Sequence, residues 1–252
     1  MSRFEIIDPA TRKEAFGNLC ALGIMTKAPE AGKVKTRLTP PLTSAEAAAL
    51  NKCFLRDLSL SIASASAGSP ARGVAIYTPV GKETTYNDIL PEGFLMLPQR
   101  GESFGERLSH AVTDLLSAGF GSACLINSDS PTVPARSFAK AANELAKPGD
   151  RVVLGPSDDG GYYLIGLKRL HHRVFQNIDW STERVLEQTM KRAQEIGVQV
   201  HQLPSGYDVD DRVTLQRLCN ELLGANTDVA PNTKNFLEQI LQREGRERIW
   251  PH

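Results

Sequence analysis

The chain has no surplus of either charge: 29 Lys and Arg stand against 29 Asp and Glu in 252 residues. That balance excludes a global field drawing it to nucleic acid or an anionic membrane, so any anion site must be local. Cysteine is sparse too. Cys20, Cys53, Cys124 and Cys219 lack CxxC spacing and a spaced histidine partner, which argues against zinc binding and thiol catalysis. They read as small buried thiols of a reducing compartment, and the expected location is the cytoplasm. No apolar run approaches the ~20 residues that cross a bilayer. The opening MSRFEIIDPATRKEAFGN mixes acids and bases where a secretory signal would be apolar. Repeats and low-complexity tracts are missing as well. What is present, 41% hydrophobic and 23% charged residues, suffices for a buried core without staples.

Strand-like and helix-like segments alternate along the chain. LCALGIM (19–25) is a continuous apolar run, the pattern of a parallel strand covered on both faces. GVAIY (73–77), FLMLPQ (94–99) and SACLIN (122–127) are further strands, and RVVLG and GYYLIGL flank the turn-rich PSDDG. Thr43 with Glu46, and Ser103 with Glu106, form capping boxes that open helices. SFAKAANELA, ERVLEQTMKRAQEI and DRVTLQRLCNELL are helical, the last with Leu215, Leu218, Cys219, Leu222 and Leu223 on one stripe. VQVHQL is the last strand. The order predicts a three-layer α/β/α sandwich with a mainly parallel sheet and one antiparallel strand. The expected organisation is an N-terminal extension over 1–18, a single domain over 19–223, and a helical tail over 224–252 to which the sequence assigns no role.

In open α/β sheets, ligands bind beyond the carboxyl ends of strands, which directs attention to three loops. TKAPEAGKVKTRL places Lys27, Lys33, Lys35 and Arg37 against the single acid Glu30, and Gly32 frees the backbone to turn its amides toward a phosphate. The loop is neither a Walker A motif nor GxGxxG. NSDSPTVP sets Asp129 at a strand end, ahead of Pro131 and Pro134 that stiffen the turn, where a carboxylate suits Mg²⁺ shared with phosphate oxygens. SGYDVDDRVTL puts Asp208 and Asp210 two apart, on one face of an extended backbone, with Asp211 free to cap the next helix. Meeting Asp129, they would form a divalent site. Asp158, Asp159, Gly160 and Gly161 either make a tight turn or touch substrate. At most one of Tyr162 and Tyr163 can line a pocket. Trp180 could pack in the core or border an acceptor pocket. His171 and His172 read as surface residues.

KAPEAGKVKTRL, QRGESFGERL, NSDSPTVP, GPSDDGGYYLIGL, DWST and DVDDRVTLQRL, in that order over about residues 19–222, resemble the bacterial glycosyltransferase-like proteins related to the phospholactate guanylyltransferases. The resemblance implies the GT-A (nucleotide-diphospho-sugar transferase) fold. It implies that Lys27, Gly32, Lys33, Lys35 and Arg37 meet nucleotide phosphates and that Gly101 to Glu106 lie near base or ribose. It also implies that Asp129 and Asp210, with Asp208, hold Mg²⁺ or Mn²⁺. Lys35, Arg37 and Asp129 are then the expected catalytic residues, with Asp158, Asp159, Gly160, Gly161, Tyr162 and Trp180 toward the acceptor. The DxD motif of glycosyltransferases reads Asn127, Ser128, Asp129 here, keeping one acid. Together with DVDD, this favours nucleotidyl transfer from an NTP to a small phosphorylated acceptor. Glycosyl transfer from an NDP-sugar and non-catalytic nucleotide binding are the alternatives. Oligomeric state is not legible.

Overall fold

The computed structural model describes residues 2–224 and 227–250. Eight strands form one sheet in the order β1-β4-β3-β2-β5-β7-β6-β8. In chain order they are β1 Glu5–Ile6, β2 Cys20–Lys27, β3 Ala71–Thr78, β4 Leu95–Pro98, β5 Ser122–Ile126, β6 Arg151–Pro156, β7 Tyr162–Leu167 and β8 Gln199–Gln202. All neighbours pair in parallel except β7, which runs antiparallel to both β5 and β6. The single reversed strand follows from the short PSDDG connection, since only a crossover could restore parallel direction.

Among the described residues there are six α-helices: α1 Ser44–Gly68, α2 Phe104–Ser117, α3 Ala135–Ala146, α4 Val185–Glu195, α5 Arg212–Leu223 and α6 Pro231–Glu244. Both expected capping boxes form, Thr43 with Glu46 and Ser103 with Glu106, and a third joins Asp211 to Thr214. Strand residues alternate between two cores. Leu22 and Ile24 face Leu58 and Ile62 of α1 and Phe138 of α3, whereas Ala21 and Leu125 face Leu108, Val112 and Leu115 of α2. Burial on both faces is why these strands read as unbroken apolar runs. Among the described residues, no helix is long and apolar enough to cross a membrane.

The segments expected to lie outside the domain are built into it. Glu5–Ile6 pairs with β4 as an edge strand, and Phe4, Ile7 and Phe16 are core residues, so this segment packs onto the sheet. At the other end, α6 packs with α1 and α5 in a third core of Leu50, Phe54, Leu218, Leu222, Leu237 and Ile240. Asp57 of α1, 3% exposed, accepts hydrogen bonds from Asn232 N (3.0 Å), Asn232 Nδ2 (2.8 Å), Thr233 N (2.8 Å) and Thr233 Oγ1 (2.6 Å). A carboxylate on the first turn of α6 satisfies amides that have no partner within the helix. Met1 and residues 225, 226, 251 and 252, which belong to the expected extension and tail, lie outside the described residues.

Arg243 and Arg248, beyond the third core, grip Glu46 in the first turn of α1. Burial alone would raise the Glu46 carboxyl, but hydrogen bonds from Arg248 and Thr43 overcome it and hold the group at about 2 against an ordinary 4.5. A depressed carboxyl contributes stability above its unfolded pKa, and that stability is lost as pH falls through the folded one. Glu46→Gln is therefore expected to lower the melting temperature at neutral pH. The gap to the parent should close as pH falls from 4.5 toward 2, in thermal melts across that range. A gap independent of pH would contradict the charge clamp.

Candidate active site

The loops after β2 and β5 converge on one buried cation. Gly32, at φ +73°, and Lys35, at φ 49°, are both in the left-handed region, so the loop after β2 folds back on the sheet instead of extending into solvent. The ammonium of Lys35 ends 2.6 Å from Asp129 Oδ1 and 2.9 Å from Asp210 Oδ1. It also donates to Val209 O at 2.8 Å. Three donors meet three acceptors. The Lys35 side chain is 4% exposed, while those of Asp129 and Asp210 are 31% and 41% exposed. Beneath it lies the Phe54 ring, its centroid 5.4 Å away. Burial alone would lower the lysine pKa, but the two carboxylates outweigh it and raise the group above its ordinary value.

Asp129 follows the last residue of β5, and Val209 N donates to its carbonyl at 2.9 Å. That main-chain bond fixes Asp129 relative to Asp210 and so sets the spacing of the two acids. Asp208 departs from the expectation. Its Oδ1 accepts from Ser130 Oγ at 2.7 Å, Asn127 Nδ2 at 2.8 Å and Ser157 Oγ at 3.0 Å, so it clips the loops after β5 and β6 together. Burial pushes its carboxyl up to about 6, with the nearby Asp129 and Asp159 charges adding to the rise and the Ser130 and Asn127 bonds opposing it. Asp211 caps α5 and lies 3.9 Å from Arg37.

Lys27, Lys33 and Arg37 are exposed around the buried Lys35. Gly101, at φ +111°, would carry a Cβ 3.0 Å from Glu106 Cβ and 3.1 Å from the Arg107 amide, so only glycine fits that turn. The Glu106 carboxylate accepts from the amides of Glu102 (2.9 Å) and Ser103 (3.0 Å), which makes it a helix cap as well as a neighbour of the cleft. In the PSDDG turn, Asp159 accepts from Gly161 N at 2.9 Å and Asp158 pairs with Arg217 at 2.7 Å. Gly160, at φ +84°, packs directly on the backbone of Glu183. The turn reading accounts for Asp159, Gly160 and Gly161.

Tyr162 and Tyr163 do face opposite ways: Tyr162 packs with the α2 core, whereas Tyr163 joins the α1 and α3 core and donates to Pro204 O. Trp180 stands edge-on to Phe104, with centroids 5.2 Å apart at 79°. His172 is exposed, and His171 is half-buried with Nε2 2.8 Å from Asp150. The sequence reading missed Asp57, whose partners lie 175 and 176 positions away, and within the Gly101 to Glu106 stretch it did not single out Phe104. The latter continues the Leu108, Ala111 and Leu115 stripe by one turn, so periodicity assigns it to the core although it is exposed.

Among the described residues, no three His, Cys, Asp or Glu side chains are grouped to hold a metal ion. Asp129 and Asp210 nevertheless suit Mg²⁺, which takes one or two carboxylates and completes its shell with water and phosphate oxygens. Their partial exposure leaves such a shell accessible.

Residues 62–182 match the family model described as "Uncharacterized protein conserved in bacteria (DUF2064)". In structure the chain is similar to a protein of Desulfovibrio desulfuricans G20 provisionally classed as a nucleotide-diphospho-sugar transferase. The two share 28% identity at a TM-score of 0.78, over 90% of this chain and 97% of that one. The fold is that of the nucleotide-diphospho-sugar transferases. A nucleotidyl transferase of Methanothermobacter thermautotroptrophicus matches at TM-score 0.53 and 11% identity, over 83% of this chain and 100% of the other. A cytidylyltransferase of Leptospira borgpetersenii matches at 0.52 and 9%, over 92% and 97%. No curated protein matches the sequence.

Replacing Lys35 with Met leaves two carboxylates facing one another with no cation. The acids left behind are 31% and 41% exposed, so solvent screens part of their repulsion, and Lys35→Met should lower the denaturation midpoint while the protein still folds. Added Mg²⁺ should recover more stability in the variant than in the parent. An unchanged midpoint would show that the triad does not hold the loops.

Proposed function

We propose that the protein is a nucleotidyltransferase assisted by Mg²⁺ or Mn²⁺. A phosphate oxygen of a small phosphorylated acceptor attacks the α-phosphorus of an NTP. A new P–O bond forms, the bond between the α-phosphorus and its bridging oxygen breaks, and pyrophosphate leaves with that electron pair. The observation that carries this reading is the convergence of Asp129, Asp210 and Lys35 on one point at the carboxyl end of the sheet. The similarity in fold to nucleotidyl and cytidylyl transferases agrees with it.

Each part of the site has a role in that reaction. Lys27, Lys33 and Arg37 supply exposed positive charge for the β- and γ-phosphates in a chain with none to spare overall. Lys35 holds the two carboxylates in place and offers its charge to oxygens that become more negative in the transition state. Asp129 and Asp210 would hold the divalent ion, which when bound neutralises phosphate charge. Gly101 allows the turn before α2 to approach the nucleotide closely. An acceptor phosphate is already ionised at neutral pH, so the chemistry requires no protein base.

Glycosyl transfer is the second reading, favoured by the class of the Desulfovibrio relative. Two features weigh against it. Asn127, at the first DxD position, donates to Asp208, and Asp158 and Asp159 are engaged by Arg217 and the turn.

Thermal shift over the four NTPs and a set of NDP-sugars, with and without Mg²⁺, separates the two. Binding at a hundredfold the dissociation constant stabilises the native state by about 2.7 kcal/mol. An NTP is expected to give the largest Mg²⁺-dependent shift, and Asp129→Asn should abolish the metal-dependent part while leaving the fold intact. A larger shift with an NDP-sugar would overturn phosphorus chemistry.

A further inference from the structure

Asp129 is shared between two environments on opposite faces of the sheet. Its carboxylate meets Lys35 above the Phe54 side, while the residue also closes the end of a cavity on the α2 side. That cavity, of about 130 Å³, has mainly apolar and aromatic walls, among them Met25, Phe104, Leu108, Tyr162, Tyr163 and Ile165, and takes in the polar segment Asn127 to Asp129. Engineered apolar cavities of ~150 Å³ bind benzene, so the space suits a group about one ring in size.

Its mouth is unusual for a protein surface. Phe104 is 52% exposed, and among the described residues it is the only exposed aromatic side chain. Trp180 braces it edge-on. Gly105 permits that approach, because a Cβ there would lie 2.7 Å from Trp180 Nε1. An exposed aromatic locked in place beside an apolar cavity is preorganised for a ligand, since little side-chain entropy remains to be lost on binding.

We infer that this cavity receives the apolar body of the acceptor, and that the acceptor is a phosphate monoester of an apolar, ring-sized alcohol. The inference rests on the nucleotidyltransferase reading. Exposed cations and Lys35 draw the nucleotide phosphates to one side of Asp129, which leaves the α2 side for the second substrate. An acceptor with its phosphate toward Asp129 and its apolar group between Phe104 and Tyr162 matches the polar segment and apolar walls of the cavity. Phe104 lies within the Gly101 to Glu106 stretch expected near base or ribose; here its side chain is reassigned to the acceptor, as a specificity residue, and the nucleotide is left to the loop after β2.

The test uses phenyl phosphate and inorganic phosphate as probes, with Trp180 emission as the signal in a Trp250→Phe background, which removes the only other tryptophan. Phenyl phosphate is expected to change Trp180 emission saturably at concentrations where inorganic phosphate does not. Phe104→Ala should weaken that binding ~10-fold through lost apolar contact, and Phe104→Leu should weaken it less. Affinity for Mg²⁺ with each NTP should be the same in parent and both variants. Equal response to the two phosphates overturns the inference, and so does a loss of NTP affinity in Phe104→Ala, which would assign the cavity to the nucleobase. The two readings fail separately. Phenyl phosphate binding that depends on Phe104 in a protein that binds no NTP would sink the nucleotide reading alone. NTP binding without a preference for phenyl phosphate would sink only the acceptor pocket.

Discussion

A single ammonium group organises the carboxyl end of this sheet. Lys35 reaches back from a loop that turns twice through left-handed backbone, and it places all three of its protons on Val209 O, Asp129 and Asp210. Without it, two carboxylates from distant parts of the chain would repel each other across the mouth of the sheet. With it, the loops after β2 and β5 and the segment before α5 form one body. Burial of the charge works against the arrangement, but the paired acids exceed that penalty and raise the lysine above its ordinary value.

The same group bears on function. A cation fixed between two partly exposed acids keeps them close enough to share a divalent ion once phosphate oxygens arrive to complete its shell. Asp208, only two residues before Asp210, gives one of its oxygens to Asn127, Ser130 and Ser157 and so ties the loops after β5 and β6 together. The acids of DVDD thus divide between a clip at Asp208, a partner of Lys35 at Asp210 and a helix cap at Asp211. Asp129 in turn separates the charged half of the site from the apolar half.

Much of the fold was legible because its signals are local. Unbroken apolar runs marked strands covered on both faces, and the capping boxes at Thr43 and Ser103 marked the helix starts. Asp129 was legible from its place after a strand, and Asp208 and Asp210 from their two-residue spacing. Long-range facts were not. That Lys35, among four loop cations, is the buried one depends on backbone dihedrals and on partners 174 and 175 positions away. The N-terminal residues seemed peripheral because a two-residue strand leaves no periodic pattern. The α6 segment seemed unassigned because its anchor, Asp57, lies in an otherwise ordinary helical stretch of α1. Phe104 was hidden by the helical stripe that it continues.

The most direct measurement is a crystal structure of the protein with Mg²⁺ and a non-hydrolysable NTP analogue. The account expects the ion between Asp129 and Asp210, Lys35 turned to a phosphate oxygen, and Asp208 still bound to Asn127, Ser130 and Ser157. An ion held elsewhere, or a nucleotide bound with its phosphates away from the loop after β2, would contradict it.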